Sequence, residues 1–122
     1  MPRWLSLLIV ISAMALVAAC GGSPSSQPAG SIKVTLTEMK FTPKSIAAKA
    51  GEVDLYLVNA GSTTHDMVVV DSTGKQIGKS DLIAPGDSTL FKLANLAAGT
   101  YTVYCDLPGH RDSGMEGTLA VT

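Results

Sequence analysis

Short stretches of alternating apolar and polar residues recur from residue 31 to the end of the chain. In the clearest of them, Ile32, Val34 and Leu36 alternate with polar residues, which is the period of a half-buried strand. No helical apolar stripe of normal length is present there, and turn residues separate the stretches. The pattern therefore predicts an all-β Greek-key sandwich of seven to eight strands. The predicted strands span residues 32–37, 46–49, 53–58, 67–70, 88–93, 100–105 and 117–122, and residues 76–86 fit either a loop or a helical turn.

The beginning of the chain has a different pattern. Arg3 is followed by a run over residues 4–19 in which 14 of 16 residues are apolar. This run is short for a membrane-spanning helix, which needs about 20 apolar residues, and is typical of a signal peptide. Its end, Val17-Ala18-Ala19-Cys20, resembles a bacterial lipobox, which implies cleavage after residue 19 and acylation of Cys20. The alternative is an ordinary secretory signal, and both interpretations predict an exported protein.

Three segments follow from this division of the chain. Residues 1–19 are the predicted lipoprotein signal peptide, residues 20–31 are a flexible tether rich in Gly, Ser and Pro, and residues 32–122 are the folded domain. The whole chain is 46% apolar with a net charge of −1, whereas the 103 residues after the signal are about 40% apolar with a net charge of −2. This near-neutral charge argues against a nucleic-acid binder. The sequence thus predicts one mildly acidic domain held at a membrane by a lipid.

The candidate chemistry lies mainly in one C-terminal loop. Cys105, His110 and Met115 follow each other with a spacing of Cys-x4-His-x4-Met between two predicted strands. The only other histidine, His65, follows an upstream strand, and strand ends that are distant in sequence can meet at one end of a sandwich. We expect a thiolate, two imidazoles and a thioether to form one cluster there.

This donor set favours copper. Thiolate and thioether are soft ligands that suit Cu(I), imidazole also binds Cu(II), and two His with one Cys and a distant Met form the type 1 copper set. Zinc could take the Cys and both His, but Met is a poor zinc ligand and no fourth hard ligand is evident. Taken singly, His65 would be a structural histidine, Cys105 a small buried residue and Met115 core filler.

At this point the chain resembles the small cupredoxins of the plastocyanin, azurin and auracyanin kind over residues 31–122. The resemblance implies a cupredoxin fold, one copper ion as cofactor, and His65, Cys105, His110 and Met115 as its ligands. The family often has Asn after the first ligand histidine, and this chain has Asp66, which we expect either to brace the cysteine loop in a different way or to add negative charge near the site. The features that carry the resemblance are Phe41-x-Pro43-x-x-Ile46, the Gly51 turn, His65, and the Tyr104-Cys105-Asp106-Leu107-Pro108-Gly109-His110 loop with Met115.

Two functions are compatible with these residues. The first is a one-electron carrier at the extracytoplasmic membrane surface. Its electron port would be His110, flanked by Leu107, Pro108 and Gly109. We expect this carrier to be a monomer that meets redox partners by transient contact. The second is a copper storage or delivery module without redox turnover. An enzyme is disfavoured, because copper oxidases and nitrite reductases need further His ligands and a binuclear centre needs a second cysteine at the site.

Overall fold

The computed structural model describes residues 26–122. The predicted signal peptide, Cys20 and the first part of the predicted tether lie outside the described residues, so the segment boundaries after residues 19 and 31 stay predictions. The described part contains nine strands and no α-helix, and hence no helix long and apolar enough to cross a membrane. The strands are β1 (Ile32–Thr37), β2 (Lys40–Thr42), β3 (Ser45–Ala48), β4 (Gly51–Asn59), β5 (Val68–Val70), β6 (Gln76–Lys79), β7 (Ser88–Leu96), β8 (Gly99–Tyr104) and β9 (Glu116–Val121).

The nine strands form two sheets. One has the order β2-β1-β4-β7 and the other β3-β9-β8-β5-β6. Two pairs are parallel, β1 with β4 and β3 with β9, and the other pairs are antiparallel. The prediction of an all-β sandwich is confirmed. The predicted number of strands was too low, because β2 and β6 are also present.

The core lies between the two sheets and follows the alternation in the sequence. On β1, Val34 and Leu36 are fully buried, whereas Lys33, directly before Val34, is exposed. On β4, Leu55 and Leu57 are also fully buried, and Tyr56 between them is buried as well. Because strands such as β1 and β4 turn apolar side chains inward, the two sheets together exclude water from the interior. Cys105 and Met115 belong to this same buried cluster, so the candidate ligands are continuous with the core.

The missed strand β6 lies at the edge of its sheet, where it pairs only with β5. Its sequence, Gln-Ile-Gly-Lys, has no clear alternation, and all four residues are exposed or half-buried. A register shift also interrupts its pairing between Val69 and Val70. Backbone pairing to β5, rather than burial of side chains, therefore explains why this segment is a strand and why the apolar pattern did not indicate it.

Candidate metal centre

The first candidate ligand, His65, lies in the segment that joins the two sheets between β4 and β5. Its backbone forms an isolated bridge with Ile83, with N–H···O distances of 3.1 and 2.8 Å. The buried side chain of Asn59 supports the same region, since its Nδ2 donates hydrogen bonds of 2.8 Å to the carbonyl groups of Thr63 and Ile83. His65 is fully buried. Its backbone position is thus set by neighbours on two sides.

The other three candidates lie on the loop between β8 and β9. The N–H of Cys105 donates to the carbonyl of Met115 at 3.1 Å, and the N–H of Met115 donates to the carbonyl of His110, also at 3.1 Å. Arg111, within the loop, packs over the ring of Tyr104 at the end of β8, at 3.9 Å, and binds Glu116 at the start of β9, at 2.8 Å. These bonds hold both ends of a short loop together, so its side chains project from a defined backbone.

Three donor groups from these two segments converge. The Sγ of Cys105 lies 4.0 Å from the Nδ1 of His65 and 3.5 Å from the Nδ1 of His110, and one ligand atom from each residue lies within 4.8 Å of the others. Metal bonds of about 2.0 Å to nitrogen and about 2.3 Å to sulfur place two donors of a trigonal site about 3.7 Å apart. The two sulfur–nitrogen distances therefore match the spacing of a trigonal metal site. Met115 is fully buried on the same loop.

The protonation of the donors also suits a metal ion. Burial, followed by the neighbouring His110, lowers the pKa of His65, which keeps this imidazole neutral and able to bind a metal. Burial raises the pKa of the Cys105 thiol, although hydrogen bonds from the backbone of Asp66 and Leu107 oppose the rise. A buried thiol of this kind needs a cation beside it to become a thiolate, and a metal ion supplies that charge.

Comparison with known proteins agrees with this geometry. The cupredoxin-like domain family matches residues 7–121. The chain belongs to the cupredoxin-like family. It is 33% identical over 87 residues to plastocyanin from Scenedesmus fuscus, an alignment that covers 66% of this chain and 85% of that protein.

Two solved structures extend the comparison of this cupredoxin to the fold. Oxidised plastocyanin from Dryopteris crassirhizoma is 30% identical with a TM-score of 0.56, and the match covers 75% of this chain and 100% of the plastocyanin. Auracyanin A, a blue copper protein from Chloroflexus aurantiacus, is 20% identical with a TM-score of 0.65, and the match covers 76% and 100% of the two chains. The family and the soft donor set together support one copper ion as the cofactor of this cupredoxin.

The cupredoxin site is braced by a carboxylate next to it. Asp66 is 1% exposed, and its Oδ1 accepts a 2.7 Å hydrogen bond from the N–H of Asp106. Lys79 on β6 contacts both aspartates, at 3.7 Å from Asp66 and 2.8 Å from Asp106. The structure thus places the predicted candidate Asp66 against the cysteine loop and adds a cation that sequence reasoning did not single out.

Sequence reasoning missed three further residues around the cupredoxin site: Glu38, Asn59 and Lys79. Glu38 lies 3.5 Å from the Nε2 of His65, although it is 27 residues upstream. Asn59 ends a strand, where an asparagine is an ordinary turn residue, and Lys79 is one of several exposed lysines. No local signal distinguishes them, because each acts across a contact between elements distant in the sequence.

The outer face of the cupredoxin site is partly open. His110 is half-buried, in contrast to the fully buried His65. Beside it, Pro108 and Gly109 are exposed and Leu107 is half-buried against the core. The three predicted port residues therefore lie with His110 on one loop at the surface.

The loop glycines differ in their roles. Gly109 and Gly114 have φ angles of +77° and +108°, as expected for a tight loop that needs unusual backbone angles. Gly117, in contrast, lies within β9 and has no positive φ. Instead, a Cβ at residue 117 would collide with the carbonyl oxygen of Lys44. This glycine lets β9 approach the chain just before β3.

Proposed function

We propose that this cupredoxin is a one-electron carrier that holds a single copper ion with His65, Cys105, His110 and Met115. The observation that carries the proposal is the convergence of one thiol and two imidazoles, from two segments 40 residues apart, at trigonal spacing and continuous with the core. The bound copper would supply the redox couple, Cu(II)/Cu(I). The family supports a carrier rather than an enzyme.

The contribution of the protein is to keep the donors in nearly the same positions in both oxidation states. Two backbone bonds with Ile83 hold His65, and the bonds among Cys105, His110 and Met115 hold the loop. Because these bonds join backbone groups of the protein to each other, little of the protein has to rearrange when one electron arrives. Burial of His65 and Cys105 keeps water from the site on its inner side.

The half-buried His110 supports an electron path to the surface. Its ring meets that of His65 with centroids 5.1 Å apart, and Leu107, Pro108 and Gly109 surround it on the exterior. We propose that redox proteins dock here through small, transient interfaces, which are typical of electron-transfer encounters. The low net charge gives only weak electrostatic steering, and we propose that the carrier is a monomer that binds no nucleic acid.

We also propose that the protein is exported and held by a lipid on Cys20 at the extracytoplasmic side of a bacterial membrane. The support is the apolar run over residues 4–19 followed by Cys20 and a tether of Gly, Ser and Pro. Metabolic labelling with palmitate and membrane fractionation test the anchor. Cys20→Ser should abolish labelling and release the protein from membranes, and persistent labelling of that variant would contradict this part of the proposal.

The central test adds Cu(II) to the purified protein and records its visible and EPR spectra. We expect an intense blue or green thiolate band with narrow copper hyperfine splitting. Cys105→Ser should abolish the band, whereas Cys20→Ser, which removes the other cysteine, should leave it. A pale, ordinary Cu(II) spectrum of the unaltered protein would overturn the proposal. Fast reversible voltammetry then separates a carrier from a storage or delivery module, since storage does not require rapid cycling.

A further inference from the structure

Glu38 lies in the turn between β1 and β2 and contacts the segment that precedes His65. Its Oε1 accepts hydrogen bonds from the N–H groups of Ser62 at 2.7 Å and Thr63 at 2.9 Å, and from the hydroxyl of Thr63 at 3.2 Å. The carboxylate packs so closely that a Cβ on Gly61 would collide with it. A single carboxylate thus holds two consecutive residues of this segment by hydrogen bonds and packs against a third.

The same oxygen also faces the ring of His65. The Nε2 of His65 lies 3.5 Å from the Oε1 of Glu38 and 3.4 Å from the hydroxyl of Thr63, whereas Nδ1 points to the Sγ of Cys105. Within the described residues, no other carboxylate forms an ion-pair contact with this imidazole. A histidine that binds a metal through one nitrogen commonly donates the other N–H to a carboxylate, which sets the ring orientation and raises its basicity.

We infer that Glu38 is a positioning residue for the copper site. Its carboxylate holds the proton of His65 on Nε2, leaves Nδ1 free toward Cys105, and favours the oxidised state of the bound metal. The effect on the oxidation state of copper rests on the proposed function, whereas the position of the proton on His65 can be tested in the copper-free protein.

The charge of Glu38 is maintained at neutral pH. The carboxylate accepts hydrogen bonds from the N–H groups of Ser62 and Thr63, which favour its charged form. The oxidised site carries one more positive charge than the reduced site, and a carboxylate that reaches it through one imidazole ring stabilises that extra charge. Removal of the negative charge should therefore favour the reduced form.

The decisive variant is Glu38→Gln, which keeps the shape and an oxygen acceptor but removes the charge. Asp71→Asn is the matched control. Asp71 also accepts turn hydrogen bonds, from Thr73 and Lys75, but lies six residues from His65 beyond β5. Circular dichroism first establishes that both variants are folded. The copper-free proteins are then compared by 15N-1H NMR of the histidine rings, and the copper-loaded proteins by voltammetry.

In the unaltered copper-free protein, we expect the proton of neutral His65 on Nε2, and in Glu38→Gln a mixture of tautomers. The Cu(I)-to-Cu(II) affinity ratio should rise by about tenfold in Glu38→Gln, which is about 59 mV for a one-electron couple, and change much less in Asp71→Asn. A proton on Nδ1 in the unaltered protein, or equal shifts in both variants, would overturn the inference. Absence of type 1 copper spectra would instead count against the proposed function, and the NMR result would still test the role of Glu38.

Discussion

The backbone N–H of Asp106 donates a hydrogen bond of 2.7 Å to the buried carboxylate of Asp66. Asp66 directly follows His65, and Asp106 directly follows Cys105. One hydrogen bond therefore joins the two segments that supply the candidate ligands, across a separation of 40 residues. This bond thus ties the residue after the first histidine to the residue after the cysteine.

Two replacements of Asp66 should show whether its side chain stabilises the protein as a hydrogen-bond acceptor or through its negative charge. In Asp66→Ala the N–H of Asp106 loses its partner, and the loss of a hydrogen bond to a charged group costs about 1.5–3 kcal/mol. We expect a loss of that size in the free energy of unfolding of the copper-free protein, measured in urea. Asp66→Asn should lose less, because its amide oxygen can accept the same bond. Equal losses in the two variants would contradict the bracing role.

The contact between Lys79 and Asp66 predicts a specific coupling. Lys79→Gln should destabilise the protein, because it leaves the buried carboxylate of Asp66 without its cation. In an Asp66→Asn background the same change should cost less, since only the exposed contact with Asp106 remains to be lost. A double-mutant cycle from urea unfolding measures the difference. Additive effects would show that Lys79 acts only on Asp106.

The copper-free protein should lose stability as the pH falls below about 6.5. Burial and then His110 lower the pKa of His65 in the folded state, so below its ordinary value of 6.5 the unfolded chain binds more protons than the folded one. Urea unfolding from about pH 8 to about pH 5 tests this, and His65→Asn should flatten the dependence. An equal slope in both proteins would exclude His65 as its source.

At lower pH, the stability of the protein should depend on a second titratable group, the carboxylate of Glu38. The folded-state pKa of Glu38 is about 2, against 4.5 ordinarily. The stability that its ionised form contributes is complete above pH 4.5 and is lost as the pH falls toward 2. Glu38→Gln should make the free energy of unfolding fall less steeply below pH 4.5. The earlier decline, which begins below pH 6.5, should remain in this variant. The same urea series, extended to lower pH, supplies the measurement, and an unchanged acid slope would contradict it.

Substitution by Ala and by Asn should destabilise the protein in opposite order at Gly109 and at Gly117. Gly109 has a φ of +77° and open space around it, so Asn, which tolerates this conformation, should be less harmful than Ala. At Gly117 the obstacle is the carbonyl of Lys44, so Ala should cost about 1–3 kcal/mol from overpacking and the larger Asn should cost more. Thermal unfolding of the four variants gives the two orders.

The sequence predicted well those features that depend on local pattern. Val34 and Leu36 are buried because they share one face of a strand, and alternation shows this directly. The edge strand β6 was missed because Ile77 is half-buried and Gly78 has no side chain to contribute to a pattern. Its conformation depends on the free edge of β5, which no property of its own residues indicates.

For the site, the sequence by itself determined the set of candidate donors, since the chain has only two histidines, and Cys105, His110 and Met115 are close together in the sequence. Only the tertiary structure decided how these donors are held. The meeting of His65 with Cys105 depends on two sheets packed together, and Glu38, Asn59 and Lys79 contact the site from separate elements. Ligand identity is a matter of side-chain chemistry, which is local, whereas orientation and charge arise from contacts between residues far apart in the chain.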